Sequence, residues 1–146
     1  PIVLEAYDWL VRRAPGAQIR PPDAEYPIWA SYSLARSMPP QTDCVLLELA
    51  LDPALVTPIP VAKWGTILNY GYIPASPADA QRHSALLEAY RTSDTQAYMS
   101  QFYPAIKREI VSSWDRLFDN RILLVNEDCY AIIWEIQLPW VTEVIQ

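Results

Sequence analysis

Tyr26-Pro27-Ile28-Trp29-Ala30-Ser31-Tyr32 and Ala131-Ile132-Ile133-Trp134-Glu135-Ile136-Gln137-Leu138 are short runs, dense in β-branched and aromatic residues, each carrying a tryptophan. Such runs favour strands, because branched and aromatic side chains pack well on a pleated surface. The first predicts a strand over 26–34, with Tyr26, Ile28, Ala30, Tyr32 and Leu34 on one face and Trp29, Ser31 and Ser33 on the other. The second predicts a strand over 130–138, followed past Pro139 by another over 140–145.

Working outward, residues 44–51 (Cys-Val-Leu-Leu-Glu-Leu-Ala-Leu) form a near-continuous apolar run that predicts a strand buried on both faces, interrupted by Glu48. Residues 56–60 carry Pro58 and Pro60 and are at most an edge strand. A short strand is also expected over 122–125. Helices are expected elsewhere. Residues 2–13 space Val3, Ala6, Trp9, Leu10 and Arg13 by three and four, with Pro1 at the start. A short helix follows over 61–69, leaving through Gly71. Ser76-Pro77 opens a helix to about Tyr90 with Ala80, Leu86, Leu87 and Tyr90 as its apolar face. Ser93 and Gln96 resemble a capping box, Pro104 interrupts or kinks the helix begun there, and Ile106, Ile110, Trp114 and Leu117 continue a stripe. Helix, strands, helices and strands succeed each other without regular alternation. The expectation is an α+β fold over 1–146 as one domain, with a mixed, mostly antiparallel sheet and helices packed on it.

Composition narrows the function. Hydrophobic residues make up 51% and charged residues 19% of the 146, enough for a packed core. The net charge of −6 repels phosphate backbones, and the basic cluster Lys107, Arg108, Arg116 and Arg121 is diluted by Glu109, Asp115 and Asp119. No nucleic-acid partner is expected. No apolar run is long enough to span a bilayer, and Glu5 comes too early for a signal-peptide core, so no membrane partner is expected either. Cys44 and Cys129, each at the mouth of a predicted strand, read as reduced, partly buried thiols in a cytoplasmic protein. Three scattered glycines exclude phosphate-cradling loop motifs. The single histidine, His83, is expected on an exposed helix face and leaves zinc sites and a Ser-His-Asp triad without support.

Two strand glutamates remain. A carboxylate on a buried strand is costly unless it is paired or protonated, so Glu48 and Glu135 either face solvent, meet Arg12, Arg36 or Arg116, or line a site. In the last case Glu135 is the acid–base residue. Glu48, Trp29, Tyr32 and Trp64, with Tyr70 and Tyr72, then line a ligand site as a polar group and an aromatic wall.

The ordered set Tyr26-Pro27-Ile28-Trp29-Ala30, Val45-Leu46-Leu47-Glu48-Leu49, Trp64 with Ile67-Leu68-Asn69, Tyr72-Ile73-Pro74, Ser113-Trp114-Asp115-Arg116-Leu117-Phe118-Asp119 and Trp134 to Val141 resembles the bacterial family catalogued as domain of unknown function 3841. The resemblance runs from about Glu5 to the C-terminus. It implies a further N-terminal strand ahead of the first helix, of the type Leu-Trp-Thr-Ile-Gln, which would here be missing or supplied by a partner. Ser31 stands where the family typically has a second tryptophan, Gly65 where a histidine commonly follows the tryptophan, and Tyr130 in place of a glutamine. The family layout looks loosely similar to ADP-ribosyltransferase-like folds, which implies NAD as a cofactor, Glu135 activating an acceptor and aromatic rings stacking on nicotinamide. Two functions stay open: a small-molecule or nucleotide-handling domain acting on NAD, or a non-enzymatic, immunity-like interaction module that binds a protein partner at an exposed sheet edge.

Overall fold

The computed structural model describes residues 2–39, 41–122 and 128–145. The fold is α+β, with five α-helices and two antiparallel sheets among these residues. The chain gathers into two compact units, a helical one (Pro1–Ala6 and Ile59–Asp128) and a strand-bearing one (Tyr7–Pro58 and Cys129–Gln146).

In the strand-bearing unit the two tryptophan-containing runs are partners. Strand β1 (Ile28–Ser31) pairs antiparallel with β4 (Cys129–Ile133), placing Trp29 opposite Ile132, Ala30 opposite Ala131 and Ser31 opposite Tyr130. A third strand, β3 (Thr57–Pro60), completes this sheet in the order β1-β4-β3. Its two prolines sit at an edge position, where missing N–H donors cost no ladder bond. The last turns of helix α1 (Ile2–Arg13) bury Trp9 and Leu10, with Ala14 just beyond. Trp134, one residue past β4, is buried against Gly16 and lies under the Arg20 guanidinium.

Strand β2 (Leu46–Leu49) corrects the expectation of burial on both faces. It pairs only with β5 (Val141–Ile145) among the described residues, and Leu47 and Glu48 are exposed. An apolar run alone does not distinguish a central strand from half of a ribbon, because burial depends on neighbours that the run itself does not encode. Strand β4 likewise stops at Ile133 rather than continuing to 138, because Glu135 to Gln137 swing into solvent and Leu138–Trp140 form a 3-10 turn around Pro139. The strand expected over 122–125 lies largely outside the described residues, as does Pro1.

The helical unit follows its punctuation closely. Helix α2 (Val61–Leu68) ends where Tyr70 adopts a left-handed backbone (φ 56°). Helix α3 (Pro77–Ala89) starts with Ser76 Oγ accepting from the Asp79 N–H, and α4 (Asp94–Met99) with Ser93 Oγ accepting from Gln96. Pro104 does not kink a continuous helix. It occupies the first turn of a separate one, α5 (Pro104–Ser113), which continues as a 3-10 turn over Trp114–Phe118. Ile106, Ile110, Trp114 and Leu117 are all buried, as their spacing demands. Buried Lys63 donates from Nζ to the Arg116 and Asp119 carbonyls at the end of the 3-10 turn, a cation held by the turn's C-terminal acceptors.

Between α2 and α3 the chain crosses the unit without regular structure, and Gly71 marks its tightest point. A Cβ there would stand 2.8 Å from Thr66 Cγ2 and 3.2 Å from the Thr66 carbonyl oxygen. Thr66 is held by its own hydroxyl bond to Ala62, so it has little room to yield. We expect Gly71→Ala to destabilise the protein by about 1–3 kcal/mol in urea unfolding, with part of the loss recovered in Gly71→Ala/Thr66→Ser, which removes the nearest methyl group.

Candidate functional site

The densest constellation of ionisable side chains lies in the helical unit, around the segment 70–75. Asp79, Arg82 and His83 share one face of α3 by their three- and four-residue spacing. His83 is only 4% exposed, which corrects the expectation of a solvated helix residue. Its burial has two causes. The imidazole stacks on the Tyr72 ring, centroids 3.9 Å apart and 11° from parallel. Each ring nitrogen also meets a carboxylate, Nε2 at 2.7 Å from Asp94 Oδ1 and Nδ1 at 3.1 Å from Glu109 Oε1. A neutral imidazole has one N–H, so only the imidazolium donates to both. The residues expected to form the apolar face of α3 are half-buried (Ala80, Leu86, Leu87) or exposed (Tyr90). The buried face of this helix is its polar one.

Arginines close the network. Arg82 bonds Asp79, Glu109 and the Tyr72 hydroxyl, while Arg116 bonds the Ile73 carbonyl, lies 3.5 Å from Asp79 Oδ2 and sits over the Tyr72 ring. The Asp79 carboxyl is held down to about 2, chiefly by the Ala75 N–H, with the Tyr72 hydroxyl and Arg82 adding to it against the opposing effect of burial. Glu109 is pushed up by burial, but the hydrogen bonds and charges of Arg82 and His83 outweigh this and hold it low. Arg116 and Arg121, two members of the sequence's basic cluster, are thus engaged with Asp79 and Asp119.

Chemically this is a latch rather than a reactive centre. A general base must present a free nitrogen to substrate, and both nitrogens of His83 are occupied by fixed carboxylates. Among the described residues no group of three or more His, Cys, Asp or Glu side chains is arranged to hold a metal ion.

The residues singled out in the sequence do not converge. Glu135 lies beyond the end of β4, exposed, with Oε1 accepting from Gln137 Nε2 at 2.8 Å. Trp29 is on β1, half-buried, with edge-on contacts to Tyr7 and Tyr130. Tyr32 has left the strand and is 59% exposed. Glu48 is exposed on β2, directly opposite Glu143 rather than opposite an arginine. Trp64, Tyr70 and Tyr72 belong to the helical unit and are core: Tyr70 stacks on Tyr98 at 4.1 Å, and Tyr72 on His83. Ser31 and Tyr130, two of the departures from the family pattern, are cross-strand partners. Cys129 opens β4 and is half-buried, whereas Cys44 is exposed; neither is in a disulfide with a described residue. The His83 latch was the feature missed, although Asp79-x-x-Arg82-His83 on one helix face was its available signal.

The Asp79 carboxylate stabilises the fold only while ionised. Its native value lies below the ordinary 3.8, so this contribution is complete above about pH 5 and disappears as pH falls through 4 towards 2. Asp79→Asn should therefore be about 1–3 kcal/mol less stable than the parent at pH 7, and urea titrations at lower pH should show the gap narrowing steadily to nothing near pH 2. A gap independent of pH would show that the bonds to Asp79 do not depend on its charge.

No helix among the described residues is long and apolar enough to cross a membrane. Comparison with curated proteins gives no match, and comparison with solved structures gives none either. A family model described as Domain of unknown function (DUF3841) matches residues 1–142, nearly the whole chain, and the ordered blocks from Tyr26 to Trp140 fall within that span. The chain belongs to this family of unknown function.

Proposed function

We propose that this chain works as a protein-interaction module, and that the β2–β5 ribbon is its docking surface. One observation carries the reading. Part of the ribbon's apolar surface is solvent-exposed: Leu47 and Val144, directly opposite each other across the two strands, are 41% and 54% exposed, and neighbouring Val45 is 50% exposed, whereas Leu46, Leu49, Val141 and Ile145 are half-buried. Alternation in a half-solvated sheet normally turns such residues inward. Two-stranded ribbons are also marginal alone, and a further strand over a shared apolar face is the usual remedy. Each ribbon strand has one edge without a strand partner among the described residues.

The alternative, NAD-dependent transfer with Glu135 as acid–base residue and Trp29 and Tyr32 on the cofactor, draws less support. It needs a strand carboxylate inside a cleft, and Glu135 is solvent-exposed on irregular chain and tied to Gln137.

Two measurements separate the readings. A photo-reactive phenylalanine analogue replacing Leu47 or Val144 in the native host should give the same discrete protein adduct on irradiation, while the analogue at exposed Gln81 should not. Calorimetric titration with NAD should show no saturable heat, in the parent or in Glu135→Gln. No adduct at 47 and 144, or saturable NAD binding lost in Glu135→Gln, would overturn the interaction reading in favour of the transferase one.

A further inference from the structure

Resting on that docking reading, we propose that the partner presents an extended segment in which apolar residues alternate with lysine or arginine, added as a third strand to the β2–β5 ribbon. The pattern follows from the register. Leu47 faces Val144 and, one step along, Glu48 faces Glu143, so the first pair stands on one side of the ribbon and the second on the other. A strand laid along either edge continues both rows. Its odd positions fall beside Leu47 and Val144, and its even positions beside the two glutamates.

The glutamate pair selects the charge. Like charges directly opposite on adjacent strands repel, and neither β2 (Leu-Leu-Glu-Leu) nor β5 (Val-Thr-Glu-Val-Ile) contains a basic residue to relieve them. A lysine or arginine arriving on the same row pairs with the glutamate of the strand it joins and, about 10 Å from the other, offsets part of the repulsion between them. The bland account of such glutamates is that they guard an edge against indiscriminate pairing. The two roles agree, because the same charges that turn away acidic and apolar strands admit a basic one. They also turn away a second copy of this chain, whose ribbon would bring two more carboxylates on a body of net charge −6. The edge strand β3 shows the contrasting solution: Pro58 and Pro60 deny it ladder donors, whereas β2 and β5 contain no proline.

The test uses the full chain and three synthetic peptides of equal length with alternating Val–Lys, Val–Ser and Val–Glu, titrated by fluorescence anisotropy. Val–Lys should bind about threefold more tightly than Val–Ser at low salt, the effect of one exposed ion pair, with Val–Glu weakest. The preference should fade towards unity in 1 M salt. In Glu48→Gln/Glu143→Gln the preference should vanish while Val–Ser binding persists, and Leu47→Ser should weaken all binding peptides. Equal binding of Val–Lys and Val–Ser to the parent would overturn the charge assignment and leave the docking surface standing. Absence of binding by every peptide, together with no cross-link at Leu47, would remove the docking surface itself. A dimer in light scattering, dissociated by Leu47→Ser, would overturn the proposal in favour of self-pairing.

Discussion

The helical unit depends on one constraint: residues 69–75 lead from α2 to α3 outside any helix or strand, and once the Asn69, Tyr70 and Gly71 N–H groups have bonded back to α2 carbonyls, the remaining polar groups still need hydrogen bonds. Side chains from the surrounding helices supply them. Thr95 donates to the Asn69 carbonyl, Trp114 Nε1 to the Gly71 carbonyl and Arg116 to the Ile73 carbonyl. Asp94 accepts from the Tyr72 N–H, Ser113 Oγ from the Ile73 N–H and Asp79 from the Ala75 N–H. Helices α3, α4 and α5 and the 3-10 turn after it thus converge on the same seven residues. A side chain that meets a backbone group here also fixes where its helix sits, so the segment acts as a template for the bundle.

The ionic network is the outer layer of the same arrangement. Asp79 and Asp94 each hold a backbone N–H with one oxygen and a side chain of α3 with the other, Arg82 for Asp79 and the His83 ring for Asp94. Burying a histidine is expensive in isolation, but here its ring is stacked on Tyr72 and bracketed by two carboxylates that are themselves anchored. The contacts specify one docking angle for α3 where the helix has no wide apolar face to do so. That division of labour explains why a helix with a weak amphipathic signal is nevertheless well placed.

Local chemistry was legible in the sequence, and tertiary pairing was not. Pro77, Ser76, Ser93 and Pro104 act within a few residues of themselves, and each helix start they announce is present. Pro58 and Pro60 correctly mark an edge. By contrast, Cys44–Leu51 reads as a central strand only if partners lie on both sides, and Glu135 reads as a strand residue only if β4 continues past Trp134. His83 looked solvated because its partners, Tyr72, Asp94 and Glu109, lie 11 to 26 positions away. The candidate site gathered Trp29, Trp64 and Glu135 by residue type, and the fold distributes them over two compact units.

The pairing of β1 with β4 has a consequence for synthesis. Ile28 leaves the ribosome with no partner, because Ile133 follows about a hundred residues later. At 5–20 residues per second that is roughly 5–20 s. β2 waits through a comparable interval for β5. Residues of the helical unit emerge in between and have most of their partners at hand. For those seconds the nascent chain displays Trp29 and the leucines of β2 as unpaired strands, the interval in which it is most open to wrong pairing and aggregation.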